Sequence, residues 1–371
     1  MNQNDLDVIV IGGGQAGLAA GYTLAAAGLG YVILEAEDAV GGSWPKYYDS
    51  LTLFSPARFS ALPGLPLAGD QERYPTRDEL VAYLRGYADH FRLSVRTGAH
   101  VAATRWDGDR YVVTLAGGDQ LTGRALIAAT GGFGTPNIPA LPAADVYGGR
   151  LMHVSEYRRP DTFAGTRTIV IGAGNSAVQV AVELTDVAHV SLATRNPVKF
   201  KNQRPFGHDL HHWLHWSGLD QLPLGRRVVG TTPVLDSGRY EAAVAAGRPD
   251  RRPMFERFTP DGVVWADGTE ERVDAVILGT GYRPTLGYLP EQAFGADGWP
   301  AQRRGVSTTL PRLAYVGLPG QNGIASATVR GVGPDAGRVV RSLARDLRLE
   351  RPPVIARPAA GYGFASIESR R

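Results

Sequence analysis

The chain has 371 residues and no cysteine among them. That absence excludes a disulfide framework, a thiol nucleophile, a Cys-ligated zinc and a redox-active CxxC pair. Long apolar runs are missing as well: nothing approaches the roughly 18 to 20 residues that a membrane-crossing helix requires. The opening MNQNDLD carries acids where an export signal needs bases, and glycines soon break the apolar stretch behind it. The expectation is a soluble, cytoplasmic protein with no membrane partner. An excess of charge of one sign is missing too, with a formal net charge of only +3 from dispersed residues. No basic helix or RNP-type motif speaks for nucleic acid. What is present is enough length for two or three domains, with 43% hydrophobic residues to fill their cores.

The glycines are where the pattern begins. DVIVI (7–11), a small-residue stretch at 15–27 and YVIL (31–34) read as strand, helix and strand. Between the first two stand Gly12, Gly14 and Gly17, the GxGxxG spacing that lets a pyrophosphate reach the N–H groups of Gln15, Ala16 and Gly17 at a helix start. Glu35 closes the second strand and offers two oxygens to the hydroxyls of a ribose. The same arrangement recurs at TIVIGAGNSAV, with Gly172, Gly174, Asn175, Ser176 and Ala177. At the offset that separates Gly14 from Glu35, this copy carries Arg195, followed by Lys199 and Lys201. A base there suits a 2′-phosphate. The first turn is therefore expected to hold FAD and the second to receive NADPH, with NADH possible. The competing reading of either turn is a strand-to-helix connection with no ligand, and of Arg195 a solvated surface residue.

Each fingerprint is followed by a β-meander and a buried strand running into Thr-Gly, at Thr130–Gly131 and Thr280–Gly281. The expected fold is α/β: two Rossmann-like dinucleotide-binding domains, FAD and NADP, the second inserted in the first. The expected division is 1–158 and 276–371 for FAD, with the C-terminal tail, and 159–275 for NADP. DELVAYLRGYADHF (78–91) reads as a helix behind an acidic first turn, and Gly41 to Tyr74 as a loop layer over a ligand.

These residues resemble the flavin-containing monooxygenase family over essentially the whole chain. The pattern FxGxxxHxxx(F/Y/W) is matched by Tyr147, Gly149, His153 and Tyr157, GGxW by Gly41, Gly42, Ser43 and Trp44, and an ATGY-type motif by Thr280, Gly281 and Tyr282. The resemblance implies reduction of FAD by NADPH, addition of O2 at flavin C4a and oxygenation of a soft N, S or carbonyl small molecule. It implies no acid–base triad, and none is evident in the sequence. Two departures stand out: Tyr147 opens the pattern in place of Phe, and Ser55 precedes Pro56 where many members carry an Asn that helps position the oxygenated flavin. The alternative is therefore an NADPH oxidase or flavin-dependent reductase releasing hydrogen peroxide. A nucleotide-sensing module without turnover is a third reading, and a disulfide reductase of the same plan is excluded by the missing cysteines.

Ser55, Gln321 and Asn322 are candidates to meet the isoalloxazine, with the positive end of a following helix aimed at it. Trp44 and Tyr48 pack either on the flavin or in a core, and His153 reads as a structural link. His208, His211, His212 and His215 fall at i, i+3, i+4 and i+7, one face of a helix, with Asp209 pointing elsewhere. No metal is assigned to them, since nothing supports the ligands from behind.

Overall fold

Val8, Ile9, Val10 and Ile11 are buried, so the strand Leu6–Ile11 reads as an unbroken apolar run, as a parallel strand covered on both faces does. The computed structural model describes residues 6–222 and 233–349. Leu6–Ile11 pairs in parallel with Tyr31–Leu34 on one side and Gln120–Ala128 on the other. Between the first two runs helix α1, Gln15–Ala26. Val95–Arg96 extends the sheet past Tyr31–Leu34. Leu313–Tyr315 returns from far along the chain to pair in parallel with Gln120–Ala128. The hairpin Val101–Trp106 and Tyr111–Leu115 completes the first meander.

Helix α2, Arg77–His90, starts where Thr76 and Glu79 cap each other reciprocally, which satisfies two N–H groups that the helix leaves open. α1, α2 and the last helix among the described residues, α6 (Val332–Leu349), close one face of this sheet through Leu18, Leu24, Leu80, Leu84, Val339 and Leu343. As expected, the chain after the second unit completes the first. The tail from 350 onward lies outside the described residues.

The second sheet is wholly parallel, in the order Asp250–Pro253, His189–Thr194, Arg167–Ile171, Ala275–Leu278, Arg150–His153. Helix α3, Asn175–Leu184, connects Arg167–Ile171 to His189–Thr194 and repeats the first unit's strand, helix and strand. Two shorter helices follow, α4 (Leu210–Ser217) and α5 (Arg239–Ala245). The second meander, Arg257–Thr259, Gly262–Val264 and Glu270–Arg272, precedes the strand Ala275–Leu278, so the repeat expected from the sequence is present. The chain passes between the sheets twice, and the passages run side by side: Thr135–Pro136 pairs antiparallel with Tyr282–Arg283.

Candidate functional site

Both glycine turns sit where a strand ends and a helix begins, and neither helix has a side chain capping its first N–H groups. Each glycine has its own physical reason. Gly12 has φ +109°, and a Cβ there would lie 2.6 Å from Ala129 O. At Gly17 a Cβ would lie 1.8 Å from Gly12 O, so helix and strand approach too closely for any side chain. Gly14 differs, because its backbone (φ −80°, ψ −171°) suits any residue and a Cβ would meet nothing closer than Gly42 Cα at 3.5 Å. Nothing in the protein itself requires glycine there; the space in front of it does.

The second turn repeats this division. Gly172 has φ +139° and a Cβ there would lie 2.3 Å from Gly279 O, whereas a Cβ on Gly174 meets nothing within 4 Å. Its third position is Ala177, and the methyl fits because the strand beside it ends in Gly279, whose own Cβ would collide with it at 2.5 Å. Sequence reasoning missed Gly279. The signal was there, since the matching position before Thr130 is Ala129.

Glu35 is buried, and each of its carboxylate oxygens accepts one N–H, from Gly13 at 2.8 Å and from Glu37 at 3.0 Å. A carboxylate has about four acceptor sites, so the side chain is fixed in place with capacity left. At the corresponding position after the strand His189–Thr194, Arg195 is exposed, as are Lys199 and Lys201, and none of the three has an ion-pair partner among the described residues. The two copies are thus matched in place and opposite in charge.

Around the first turn the Gly41–Gly42 segment lies against the backbone of Gly13 and Gly14, with Gly41 N–H donating to Gly13 O. Ser43 Oγ bonds to the Tyr47 hydroxyl at 3.4 Å. Trp44 Nε1 donates to Gln15 Oε1, and Gln15 Nε2 donates to Ala327 O. Tyr48 belongs to the second unit's core, with its hydroxyl on Gln179 Oε1, so of its two readings the core placement holds. Ser55 is buried with its Oγ 2.8 Å from Ser60 Oγ, and the pair folds back on the loop through Ser60.

Gln321 and Asn322 are both buried. Gln321 Oε1 accepts from Leu318 N–H, but its Nε2 has no partner, a donor left for something the chain does not supply. The helix expected to follow directly does not: Asn322 and Gly323 N–H both donate to Ser326 Oγ, and α6 starts only at Val332. A serine turn has taken up the N–H groups on which that expectation relied.

Thr130 and Thr280 use their hydroxyls on the passages between units, Thr130 donating to Thr285 O at 2.8 Å and Thr280 to Asn137 O at 2.6 Å. Gly131 and Gly281, at φ +72° and +83°, make the turns that follow. Asn175 Oδ1 accepts from Leu235 N–H, and Ser176 follows it in the first turn of α3.

The motif at 147–157 proves to be a strut. The Tyr147 ring lies over Gly149, where a Cβ would lie 2.2 Å from its oxygen, and its hydroxyl donates to Val273 O. His153 Nδ1 accepts from Ser155 N–H, which leaves the proton on Nε2 to bond Gly281 O at 3.0 Å. Burial holds its pKa below the ordinary imidazole value. Tyr157, fully buried, donates to Glu183 of α3. The structural reading of His153 fits these bonds.

The histidine face requires correction. His208 precedes α4, and His211 is buried on its first turn. His208 stacks on His212, and among the described residues no group of three or more His, Asp or Glu has the arrangement of a metal site. Asp209 does not point elsewhere. It caps α4, and its Oδ1 accepts both His211 N–H and His211 Nδ1–H at 2.7 Å. Its Oδ2 accepts from Tyr74 and Gln203. These donors hold the Asp209 carboxyl below its usual range against the opposing effect of burial. Asp directly before a helix is a capping signal, and it was the clue available in sequence. Arg330, which bonds Asp220 through Nη1, had no such clue.

Two sheet units, one mixed and one wholly parallel, each with a βαβ turn that opens into an uncapped helix, with an acid beside one and a base beside the other, have the plan of a two-dinucleotide oxidoreductase. The family model described as pyridine nucleotide-disulphide oxidoreductase matches residues 9–215. A flavin-containing monooxygenase from Stenotrophomonas maltophilia is similar in structure, with a TM-score of 0.81 and 35% identity over 92% of this chain and 99% of that one. A CzcO-like oxidoreductase of Geobacillus kaustophilus is 32% identical over 92% of this chain and 99% of its own. An indole-3-pyruvate monooxygenase of rice is 33% identical over 75% of this chain and 77% of its own. The chain belongs to the pyridine nucleotide-disulphide oxidoreductase family and, within it, to the flavin-containing monooxygenases, FAD-dependent oxidoreductases that draw electrons from NADPH. It does so without the cysteine pair that the broader family's name refers to. Among the described residues no helix is long and apolar enough to cross a membrane.

Proposed function

We propose that this chain is an NADPH-dependent monooxygenase acting on a small molecule with a soft nitrogen, sulfur or carbonyl centre. The N–H groups of Gln15, Ala16 and Gly17 hold the FAD pyrophosphate and Glu35 its ribose. Those of Asn175, Ser176 and Ala177 hold NADPH, with Arg195, Lys199 and Lys201 on its 2′-phosphate. The observation that carries this reading is the matched placement of Glu35 and Arg195 beside two open glycine turns. The residues fit both groups: space is kept in front of Gly14 and Gly174, and Gln321 Nε2 is a buried donor with no protein partner.

When bound, FAD accepts two electrons from NADPH and activates O2, so that one oxygen atom reaches the substrate. The chain supplies position. Gly42 and Trp44 close over the first turn, Gln321 Nε2 donates toward the isoalloxazine, and Ser55 and Asn322 border it. Thr130–Gly131 and Thr280–Gly281 set the separation of the two units. We take the paired passages as the division between units, supported by the membership of Arg150–His153 and Ala275–Leu278 in the second sheet, in place of residues 158 and 275.

Ser55 favours a second reading, since a hydroxyl engaged with Ser60 is a poorer substitute for an amide donor: an oxidase that releases hydrogen peroxide. The deciding experiment reduces the enzyme with NADPH without air, then admits 18O2 with a panel of sulfides, amines and ketones. Label in a product supports the monooxygenase. Peroxide equal to the NADPH consumed, with every compound, supports the oxidase.

A further inference from the structure

The segment from Gln203 to Asp220 comes from the second unit and is fastened at both ends to loops of the first. At one end Gln203 Nε2 donates to Phe54 O, and Asp209 takes the Tyr74 hydroxyl. At the other, Ala325 N–H donates to Asp220 O, and Arg330 bonds the Asp220 carboxylate. These are the loops that carry Ser55 and Gln321–Asn322. Between the fastenings His211 stacks on Phe54, ring centroids 5.7 Å apart, and lies near Phe59, which His215 and Arg330 also touch.

His211 is only 5% exposed, and its two nitrogens are not equivalent. Asp209 is ionised and acceptor-only, so the proton it accepts sits on Nδ1, and in the neutral ring Nε2 is the nitrogen with the lone pair. Nε2 has no hydrogen-bond partner among the described residues. A carboxylate-oriented imidazole with its second nitrogen bare is the arrangement of a general base. The residue beside its stacking partner is Ser55. Exposed apolar side chains stand nearby on the same segment and loops: Phe54, Trp216, Leu219 and Ile324.

We propose, resting on the monooxygenase reading, that His211 is a catalytic base and that the substrate is a thiol with an apolar body. Among soft centres the thiol gains most from a base, because the thiolate is the nucleophile and a free thiol of pKa about 8.5 is mostly protonated at neutral pH. The S–H proton passes to Nε2, and the sulfur lone pair forms an S–O bond to one oxygen atom derived from O2. The O–O bond breaks, and the second oxygen leaves as water, taking the proton from Nε2 and one from solvent. NADPH supplies the two electrons. The balance is thiol, O2, NADPH and H+ going to sulfenic acid, NADP+ and water. A sulfenic acid condenses with any thiol it meets, and this chain has no cysteine to be captured.

The test compares benzyl mercaptan with benzyl methyl sulfide, which lacks the S–H proton, in the wild type, His211→Gln and the control His212→Gln. His211→Gln is expected to lose about 100-fold or more in kcat/KM for product from the mercaptan, the span of a general base, and less than about 3-fold for the sulfide. Equal losses on both would mean that His211 only supports the fold, and the proposal falls. A second readout needs no turnover: in wild-type protein carrying 15N-histidine, benzyl mercaptan should move the Nε2 resonance of His211. A resonance that stays fixed overturns the proposal even if the variant fails to fold. A wild type that oxygenates neither compound, while releasing peroxide, fails at the monooxygenase reading instead and removes the catalytic step with it.

Discussion

Gly14 and Gly17 stand three residues apart in one motif, yet the structure gives their replacement by alanine opposite consequences. At Gly17 the methyl would occupy a point 1.8 Å from Gly12 O, and a backbone carbonyl cannot rotate away as a side chain can. The turn must open, at a cost of roughly 3 kcal/mol or more, the upper end of what overpacking does. At Gly14 the methyl meets Gly42 Cα at an ordinary 3.5 Å, in a backbone conformation alanine adopts freely. The folded protein should lose nothing and gain about 0.4–1 kcal/mol from a stiffer unfolded chain. What Gly14→Ala removes is the approach of a pyrophosphate to the N–H groups behind it. Two charge-assisted hydrogen bonds at about 1.5–3 kcal/mol each correspond to at least 100-fold in FAD affinity, at a factor of ten per 1.4 kcal/mol. The assay is flavin content per protein together with thermal unfolding of the cofactor-free form. Gly14→Ala should unfold at or above the wild-type temperature and hold little FAD, whereas Gly17→Ala should be less stable with or without it. Full FAD content in Gly14→Ala, or equal destabilisation of both variants, would refute the reasoning.

Three further outcomes follow from named contacts. Arg195→Glu should weaken NADPH by roughly 1.5–3 kcal/mol and NADH far less, read from flavin reduction at graded nucleotide; equal losses would remove the 2′-phosphate assignment. Gly279→Ala should destabilise the second unit by about 1–3 kcal/mol, because its methyl meets the Cβ of Ala177 at 2.5 Å, and adding Ala177→Gly should restore only part of the loss, since the Cα at position 177 at 2.9 Å and Ile171 O at 3.0 Å remain in the way; no recovery would show that the two methyls do not compete. Asp335, in the first turn of α6, is buried with Oδ2 unpartnered, and burial pushes its pKa up to about 6. Below about pH 3 both folded and unfolded forms are protonated, so nothing is gained or lost. As pH rises from about 4 to 6 the unfolded chain ionises first and stability falls, after which the penalty stays constant at about 2–3 kcal/mol. Asp335→Asn should therefore raise the urea midpoint at pH 7 and leave it unchanged near about pH 3, and a gain that is the same at both values would contradict this.

The sequence by itself determined the two fingerprints, their order, the acid after one and the base after the other, and, by an empty cysteine count, the exclusion of any thiol nucleophile or redox pair of the chain's own. These were legible because each rests on residues adjacent in the chain: a turn, a helix start and a strand end obey local sterics and a fixed period. The motif around His153 was legible as a family mark, but its work as a strut from Tyr147 to Val273, from His153 to Gly281 and from Tyr157 to Glu183 was not. Only the tertiary structure decided which glycines the protein needs for itself and which it keeps for a ligand, since that depends on Ala129, Gly42 and Gly279 being brought alongside. It also turned a row of histidines into one buried imidazole held by Asp209. A helical wheel gives the direction of a side chain from its own axis, and the neighbours that fix its proton arrive from other loops.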